Sequence, residues 1–134
     1  MAEVDAREIE LAVLNLMKNA ADAISGVEHP KIIVSLTPID EKTWALSVED
    51  NGPYITDEAF DNLFKPLQTT KGADGMGLGL SIIASIAERH AGRCTVERAG
   101  AQGLRFTLVL PTMTALRMPN PNRARQRWIL SIRT

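Results

Sequence analysis

The chain has 134 residues, of which 45% are hydrophobic and 23% charged, and its formal net charge is −1. This length suffices for one domain with a buried core, and the composition is that of an ordinary water-soluble globular protein. No apolar run is long enough for a transmembrane helix, and the acidic N-terminus does not resemble a signal peptide. The single cysteine, Cys94, excludes an internal disulfide. We therefore expect a cytoplasmic domain that makes no membrane contact itself.

Charge is distributed unevenly along the chain. Residues 1–111 carry all 16 acidic residues, whereas residues 112–134 carry five arginines and no acid. The first part, which we take as the domain body, lacks the basic footprint that nucleic-acid binding needs, so no nucleic-acid partner is expected. The basic tail leaves four interpretations open: a floppy extension, docking onto another domain, pairing as an edge strand, or weak binding to an acidic surface.

Hydrophobic periodicity predicts the first helix and the hairpin that follows it. The helix is predicted from about residue 6 to 25, with Asp5 as its N-cap and Gly26 near its end. The runs KIIVSL and TWALSVE alternate as strands do, and the segment TPIDEK between them is predicted to be the turn.

The second half of the domain body repeats helix and hairpin. Thr56 is expected to cap a short acidic helix that reaches Phe64, before a polar, glycine-containing loop over residues 65–76. A helix is predicted over residues 77–91, with Gly92 as its C-cap, and the strands RCTVERA and LRFTLVLP follow. This order predicts an α+β fold with helices packed on one face of a mostly antiparallel sheet.

Two asparagines stand one turn apart on the polar face of the first helix. Asn15 and Asn19 are poor helix formers, so their presence there invites a functional reason. A side-chain amide oxygen can join Mg²⁺ while waters and substrate phosphates fill the remaining positions. The alternative is that both are merely solvated polar residues.

The segment DGMGLGL, residues 74–80, places three glycines where a helix opens. Gly75, Gly77 and Gly79 would let backbone N–H groups approach phosphate oxygens at a helix N-terminus. The segment is not a Walker A loop, because no Gly-Lys-Ser/Thr follows, and no strand leads directly into it as in the dinucleotide fingerprint. A glycine-rich loop is weak evidence by itself.

Asp50 stands at the end of an apolar strand, in VEDNGPYI. An ionised carboxylate only accepts hydrogen bonds, so a buried Asp50 would need a donor such as an adenine amino group. The alternative is an aspartate that simply initiates the turn at Asn51 and Gly52.

Taken together and in this order, the motifs resemble the ATP-binding catalytic domain of sensor histidine kinases. LNLMKNAADAI is similar to the N box of that family, EDNGPYI to its first glycine box, LFKPLQTTK to its lid, and DGMGLGLSI to its second glycine box. The sequence of the lid segment is most similar to that of the branch that contains nitrogen-regulation and oxygen-sensing kinases. The resemblance covers residues 5–111 and implies the two-layer α/β sandwich, or Bergerat-type fold, of gyrase, Hsp90 and mismatch-repair ATPases, with a mixed, mostly antiparallel sheet.

The resemblance also implies roles for individual residues. Asn15 and Asn19 would be catalytic, with Asn19 as the Mg²⁺ ligand, and Asp50 would accept a hydrogen bond from adenine. Phe64 would anchor a lid over residues 53–76, and Lys71 would contact phosphate. The other positions implied around ATP are Lys18, Asp22, Gly52, Tyr54, Ile55, Thr70, Gly75, Met76, Gly77, Leu78, Gly79 and Leu80.

Asn15 bears on the type of reaction that the resemblance implies. Hydrolytic members of the superfamily carry a glutamate at this position as general base, and an amide cannot take a proton from water at neutral pH. The sequence therefore favours a phosphoryl donor, whose implied partners are a histidine on a separate dimerisation domain and, downstream, a response regulator. Neither His29 nor His90 has the sequence context of an acceptor, so we predict that the chain does not phosphorylate itself.

Two positions depart from the family pattern. Leu67 replaces a lid phenylalanine and keeps an apolar contact, whereas Tyr54 replaces the second glycine of the first glycine box. Tyrosine does not adopt positive φ cheaply, and its ring could fill the base pocket, swing out, or stack on adenine. A degenerate site that serves as a protein-interaction module therefore stays open. A second alternative, a serine kinase of the anti-sigma type, stays open because that class shares the fold and the N box.

Overall fold

The computed structural model of the chain describes residues 6–65, 76–111 and 126–131. Within these ranges the chain forms three helices and a five-stranded sheet. None of the helices in these ranges is both long and apolar enough to cross a membrane. The elements in chain order are α1 Ala6–Ala23, β1 Lys31–Asp40, β2 Thr43–Asp50, α2 Asp57–Asp61, α3 Met76–Arg89, β3 Arg93–Arg98, β4 Leu104–Pro111 and β5 Gln126–Ser131.

The sheet has the strand order β3-β4-β2-β1-β5, and every pairing among the described strands is antiparallel. Helices α1 and α3 pack on each other and on one face of the sheet. The core between the layers is built from Leu16 of α1, Ile83 of α3, Val48 of β2 and Leu108 of β4, all fully buried. This is the two-layer α+β sandwich that the sequence predicts.

Helix α1 follows the predicted periodicity but ends earlier than predicted. Ile9, Ala12 and Leu16 are buried at helical spacing against the sheet. Regular helix stops at Ala23 rather than at residue 25, and the chain leaves it through a turn that includes Gly26 at φ +83°. Helix α2 is also shorter than predicted, because it ends at Asp61 and not at Phe64, although Thr56 caps it as expected through a 3.1 Å bond from the Ala59 N–H.

The first hairpin has a tighter turn than the segment TPIDEK suggested. Strand β1 continues to Asp40, which pairs with Thr43, so only residues 41 and 42 form the turn. Pro38 lies inside β1 and is tolerated there because β5 pairs with β1 only up to Leu36. Beyond that point no strand among the described residues pairs with this side of β1, and at such an edge a residue without an N–H costs little.

The end of α3 corrects the prediction for Gly92. The helix stops at Arg89, and the left-handed residue that ends it is Ala91, at φ +60°. Gly92 donates its N–H to the carbonyl of Ala87 over 2.8 Å, which completes a Schellman motif. A Cβ on Gly92 would lie 1.9 Å from the carbonyl oxygen of Val109. This glycine is therefore required for close approach to β4 and not for its own φ.

The C-terminal tail supplies the fifth strand. Residues 126–131 pair with β1 from Lys31 to Leu36, at the edge of the sheet opposite β3. Of the four interpretations of the tail, pairing as an edge strand is the one that the structure displays. The predicted loop over residues 65–76 and the first part of the tail fall largely or wholly outside the described residues.

Candidate functional site

A cavity of about 600 Å³ opens between the end of α1, the segment after β2 and the start of α3. Its walls are mainly apolar, with Leu80 of α3, Leu104 and Phe106 of β4 among them. We call it the central cavity. The predicted site residues that line it are Asn19, Asp22, Asp50, Ile55 and Leu80.

Asp50 lies at the end of β2 and is only 5% exposed, although it lines the central cavity. The Gly52 N–H donates to its Oδ1 over 2.8 Å, and the Leu104 N–H also bonds to the carboxylate. Burial raises the pKa of Asp50 above its ordinary value, these two hydrogen bonds oppose the rise, and the charge of Glu49 adds to it. The result is a buried acceptor at the edge of an apolar pocket, which is suited to a ligand amino group.

Two glycines allow other segments to press against the end of β2. A Cβ on Gly52 would lie 2.9 Å from the carbonyl oxygen of Ala23, so the missing side chain makes room for the end of α1, and close approach of a base at Gly52 stays a prediction. A Cβ on Gly103 would lie 2.1 Å from the carbonyl oxygen of Asp50, and Gly103 has φ +90°. Gly103 is not among the predicted site residues, since its only signal in the sequence is the glycine-containing turn GAQG before β4.

The two asparagines of α1 have different surroundings. Asn19 lines the central cavity, as a ligand of a cation bound there would have to. Asn15 is not among the residues that line it, and its Nδ2 donates to the Leu11 carbonyl one turn back, over 2.9 Å. The Oδ1 atom of Asn15 lies 4.0 Å from where a Cβ would stand on Gly79. The N box and the second glycine box therefore meet at Asn15 and Gly79, while Lys18 is exposed beside them.

Tyr54 lies outside the central cavity. Its side chain is 58% exposed, and its ring lies under the guanidinium of Arg98, 4.5 Å from the ring centroid. Among the described non-glycine residues positive φ is confined to His29 and Ala91, so Tyr54 has an ordinary backbone conformation. Of the three positions open to its ring, the structure contains the one swung away from the pocket, and no glycine is needed there.

Two further residues hold the site together without lining the cavity. Phe64 packs edge-on against Phe106, with ring centroids 6.1 Å apart, which ties the segment after α2 to β4. Asn51 accepts from the Lys31 N–H over 2.8 Å and donates to the His29 carbonyl over 2.9 Å. Asn51 thus fixes the start of β1 to the end of β2, a role that is not apparent from the sequence, where Asn-Gly indicates only a turn.

The predicted phosphate side of the site is described only in part. Thr70, Lys71 and Gly75, together with Leu67, lie outside the described residues. Met76, Gly77 and Leu78 belong to the first turn of α3, but only their backbone is described.

The residues present fit an adenine nucleotide. The cavity offers apolar walls for a base and one buried acceptor for its amino group. Within the described ranges no group of three His, Cys, Asp or Glu side chains could hold a metal ion. Among the residues that line the cavity, Asn19 offers an amide oxygen, a type of ligand that Mg²⁺ can use together with phosphate and water.

Comparisons with known proteins agree with this fit. The chain is 36% identical over 107 residues to the sensor protein FixL of Bradyrhizobium diazoefficiens, covering 80% of this chain and 21% of FixL. It is 34% identical over 119 residues to the sensory histidine kinase/phosphatase NtrB of Vibrio alginolyticus, covering 82% of this chain and 33% of NtrB. The solved catalytic domain of histidine kinase ThkA matches with a TM-score of 0.67 and 32% identity, covering 82% of this chain and 71% of that one.

The sequence model of the family of histidine kinase-, DNA gyrase B- and HSP90-like ATPases matches residues 4–114 of the chain. This range contains every predicted site residue and leaves out β5. The chain spans about a fifth to a third of the two sensor proteins, so the comparison concerns one domain of each. The chain therefore belongs to the histidine kinase-, DNA gyrase B- and HSP90-like ATPase family and is an ATP-binding domain of the type found in sensor histidine kinases.

Proposed function

We propose that this chain is the catalytic domain of a sensor histidine kinase that binds Mg-ATP in the central cavity. It would donate the γ-phosphoryl group to a histidine on a separate dimerisation domain, and a response regulator would receive the group afterwards. The observation that carries the proposal is Asp50, a carboxylate buried at the end of β2 where it borders a largely apolar cavity. The names of the relatives, which are sensor proteins and histidine kinases, support the same reaction class.

Asp50 would select the base. Its carboxylate already accepts from the N–H groups of Gly52 and Leu104, which hold it in one orientation. An adenine amino group would add a third donor and would partly offset the cost of burying the charge. Leu80 and Phe106 would contact the apolar faces of the base.

Asn19 would serve the phosphate end. A single amide oxygen is enough for a Mg²⁺ ion that also binds phosphate oxygens and water. Bound ATP would supply the phosphoryl group, and the protein would contribute positioning and charge neutralisation, the main parts of such catalysis. Asn15, at the position of the hydrolytic glutamate, offers no base for water, so slow hydrolysis is expected.

The position of Tyr54 bears on the alternative of a degenerate site. A side chain that closed the base pocket would lie in the cavity, whereas Tyr54 is exposed and rests against Arg98. This arrangement favours a working nucleotide site over a module that acts through protein contacts alone. Nothing in the described residues favours a serine-directed kinase.

Calorimetric titration of the chain with ADP and with a non-hydrolysable ATP analogue, with and without Mg²⁺, tests the proposal. Binding should be lost in Asp50→Asn and kept in Asp40→Asn, an exposed aspartate at the far end of the first hairpin. Removal of Mg²⁺ should lower the affinity for the analogue in the wild type and should have less effect in Asn19→Ala, and this difference would support the role of Asn19. Absence of nucleotide binding in both the wild type and Tyr54→Gly would overturn the proposal.

Labelling with γ-³²P-ATP tests the transfer step. The chain alone should not acquire acid-labile label, because neither His29 nor His90 is expected to be an acceptor. Label should appear on a histidine-bearing dimerisation domain mixed with the chain. Self-labelling of the isolated chain at an acid-labile site would contradict the proposed division between donor and acceptor.

A further inference from the structure

Arg98, the last residue of β3, contacts four residues of the segment that follows the Asp50 turn. Its Nη1 donates to the Ile55 carbonyl over 3.1 Å, and its Nη2 donates to Oδ1 of Asp57 over 2.7 Å. Its guanidinium carbon lies 4.5 Å from the ring centroid of Tyr54 and 4.8 Å from that of Phe60. One side chain of the sheet thus binds the segment through both its N–H groups and its flat face.

This combination requires an arginine. The guanidinium is planar, so it can lie against aromatic rings while its N–H groups, which lie in the plane, remain free to donate. A lysine ammonium could replace one of these contacts but not the whole set. The segment held in this way has no regular secondary structure before Thr56, whereas Arg98 stands on a strand paired with β4. Arg98 therefore fixes an irregular segment to a rigid element.

The same contacts determine where the Tyr54 ring lies. Tyr54 is flanked in sequence by Pro53 and Ile55, both of which line the central cavity. Tyr54 therefore stands beside the opening of the cavity, where a ring that was not held outside would be free to turn inward. Its ring is instead held outside by Arg98, and its hydroxyl donates to Oδ1 of Asp57 over 3.4 Å, the oxygen that Arg98 also binds.

We propose that Arg98 is a positioning residue for nucleotide binding, which keeps the central cavity open by holding the ring of Tyr54 outside it. This inference rests on the proposed function, because the cavity is taken to be the nucleotide site. Arg98 acts through Tyr54 and touches no ligand itself. When Arg98 is absent, the inward position of the ring competes with the nucleotide. The apparent affinity is then the affinity of the open form multiplied by the fraction of molecules that are open.

The test is a double-mutant cycle on ADP affinity. Arg98→Ala should weaken ADP binding about tenfold, the effect of a site that is open in one molecule in ten. Tyr54→Ala should bind at least as well as the wild type, and Arg98→Ala in that background should change affinity less than about twofold. Arg98→Lys, which keeps the charge but loses the planar fork, should give an intermediate affinity.

The outcomes separate positioning from a merely structural role. If Arg98 only stabilises α2, its loss weakens binding equally with and without the Tyr54 ring, and that result would overturn the proposal. Unchanged affinity in Arg98→Ala would overturn it as well. Arg89→Ala is the matched control, because Arg89 pairs with Glu8 at the far end of α3 and should leave affinity unchanged.

A second measurement does not depend on the nucleotide. The chain contains one tyrosine, so ring-labelled tyrosine gives one set of NMR signals from Tyr54. These signals should shift in Arg98→Ala without ligand and should return towards the wild-type position when ADP is added. Identical ring signals in the two proteins would refute the role of Arg98. Absence of ADP binding in the wild type and in Tyr54→Ala would refute the proposed function instead.

Discussion

The backbone N–H of Gly52 donates to Oδ1 of Asp50 over 2.8 Å, so the turn after β2 and the buried carboxylate form one unit. The Leu104 N–H binds the same carboxylate from β4. These two backbone donors orient the carboxylate, but they offset only part of the free energy lost when the charge is buried. The pKa of Asp50 is therefore still raised. The ionised Asp50 therefore lowers the stability of the folded chain.

Asp50→Asn should raise the melting temperature at pH 7 while it abolishes ADP binding. Because the folded-state pKa of Asp50 lies above 3.8, its ordinary value, the folded chain binds this proton more tightly than the unfolded chain. Stability is therefore lost as pH rises from about 3.8 through the folded-state pKa. The higher melting temperature of Asp50→Asn relative to the wild type should be present at neutral pH and should shrink at pH 4. Thermal unfolding of both proteins between pH 4 and 8, with Asp40→Asn as control, measures this difference in melting temperature. A melting temperature of Asp50→Asn below that of the wild type at pH 7 would contradict the prediction.

Gly103→Ala should destabilise the fold and displace Asp50. Its Cβ would lie 2.1 Å from the Asp50 carbonyl oxygen, and its φ of +90° is unfavourable for alanine. Gly100→Ala is a matched control, because Gly100 has φ +119° but no atom within 4 Å of the added Cβ. We expect Gly100→Ala to lose about 1 kcal/mol from backbone strain and Gly103→Ala about 2 kcal/mol more from the clash. Urea unfolding gives the difference, and equal losses would show that β2 moves aside easily.

Gly79→Ala should stabilise the free protein and weaken binding of nucleotides that carry phosphates. Gly79 lies in α3 without positive φ, and its added Cβ would make only an ordinary 4.0 Å contact with Asn15. Alanine is preferred over glycine in a helix by about 1 kcal/mol. The methyl group would nevertheless keep phosphate oxygens away from the start of α3.

Urea unfolding and titration with adenosine and a non-hydrolysable ATP analogue separate these two effects of Gly79→Ala. Adenosine affinity should not change, whereas affinity for the analogue should fall. Ser85→Ala, an exposed position of the same helix, should give a smaller gain in stability and no loss of affinity. If both variants bind the analogue equally well, Gly79 does not border the phosphates.

The sequence predicts the two layers, the element order and the Asp50 position because these depend on local patterns. Periodicity places α1 and α3, and an apolar strand before Asn-Gly places Asp50. Relationships between distant segments carry no such signal. Ala91, and not Gly92, takes the left-handed conformation at the end of α3, because Gly92 lies against the backbone of Val109. Arg98 contacts Tyr54 from a strand more than forty residues later in the chain. Both follow from tertiary packing, which overrides local preference.

Removal of residues 112–134 should destabilise the chain and promote its self-association. Strand β5 pairs with β1 from Lys31 to Leu36, so truncation leaves backbone groups of β1 without strand partners. An exposed strand edge of this kind invites pairing with another chain. Deletion of residues 132–134, which follow β5, is the matched control and should have little effect. Urea unfolding and light scattering coupled to size exclusion report both properties.

The result for the truncated chain also decides what β5 contributes to the family fold. The family match ends at residue 114, so β5 adds a strand to a domain whose matched part lacks it. Concentration-dependent dimers of the truncated chain, dissociated by a synthetic peptide of residues 126–134, would show that β5 occupies an edge that otherwise pairs between molecules. A truncated chain that stays monomeric with unchanged stability would show instead that β1 tolerates an open edge, and that β5 stabilises neither the sheet nor the monomer.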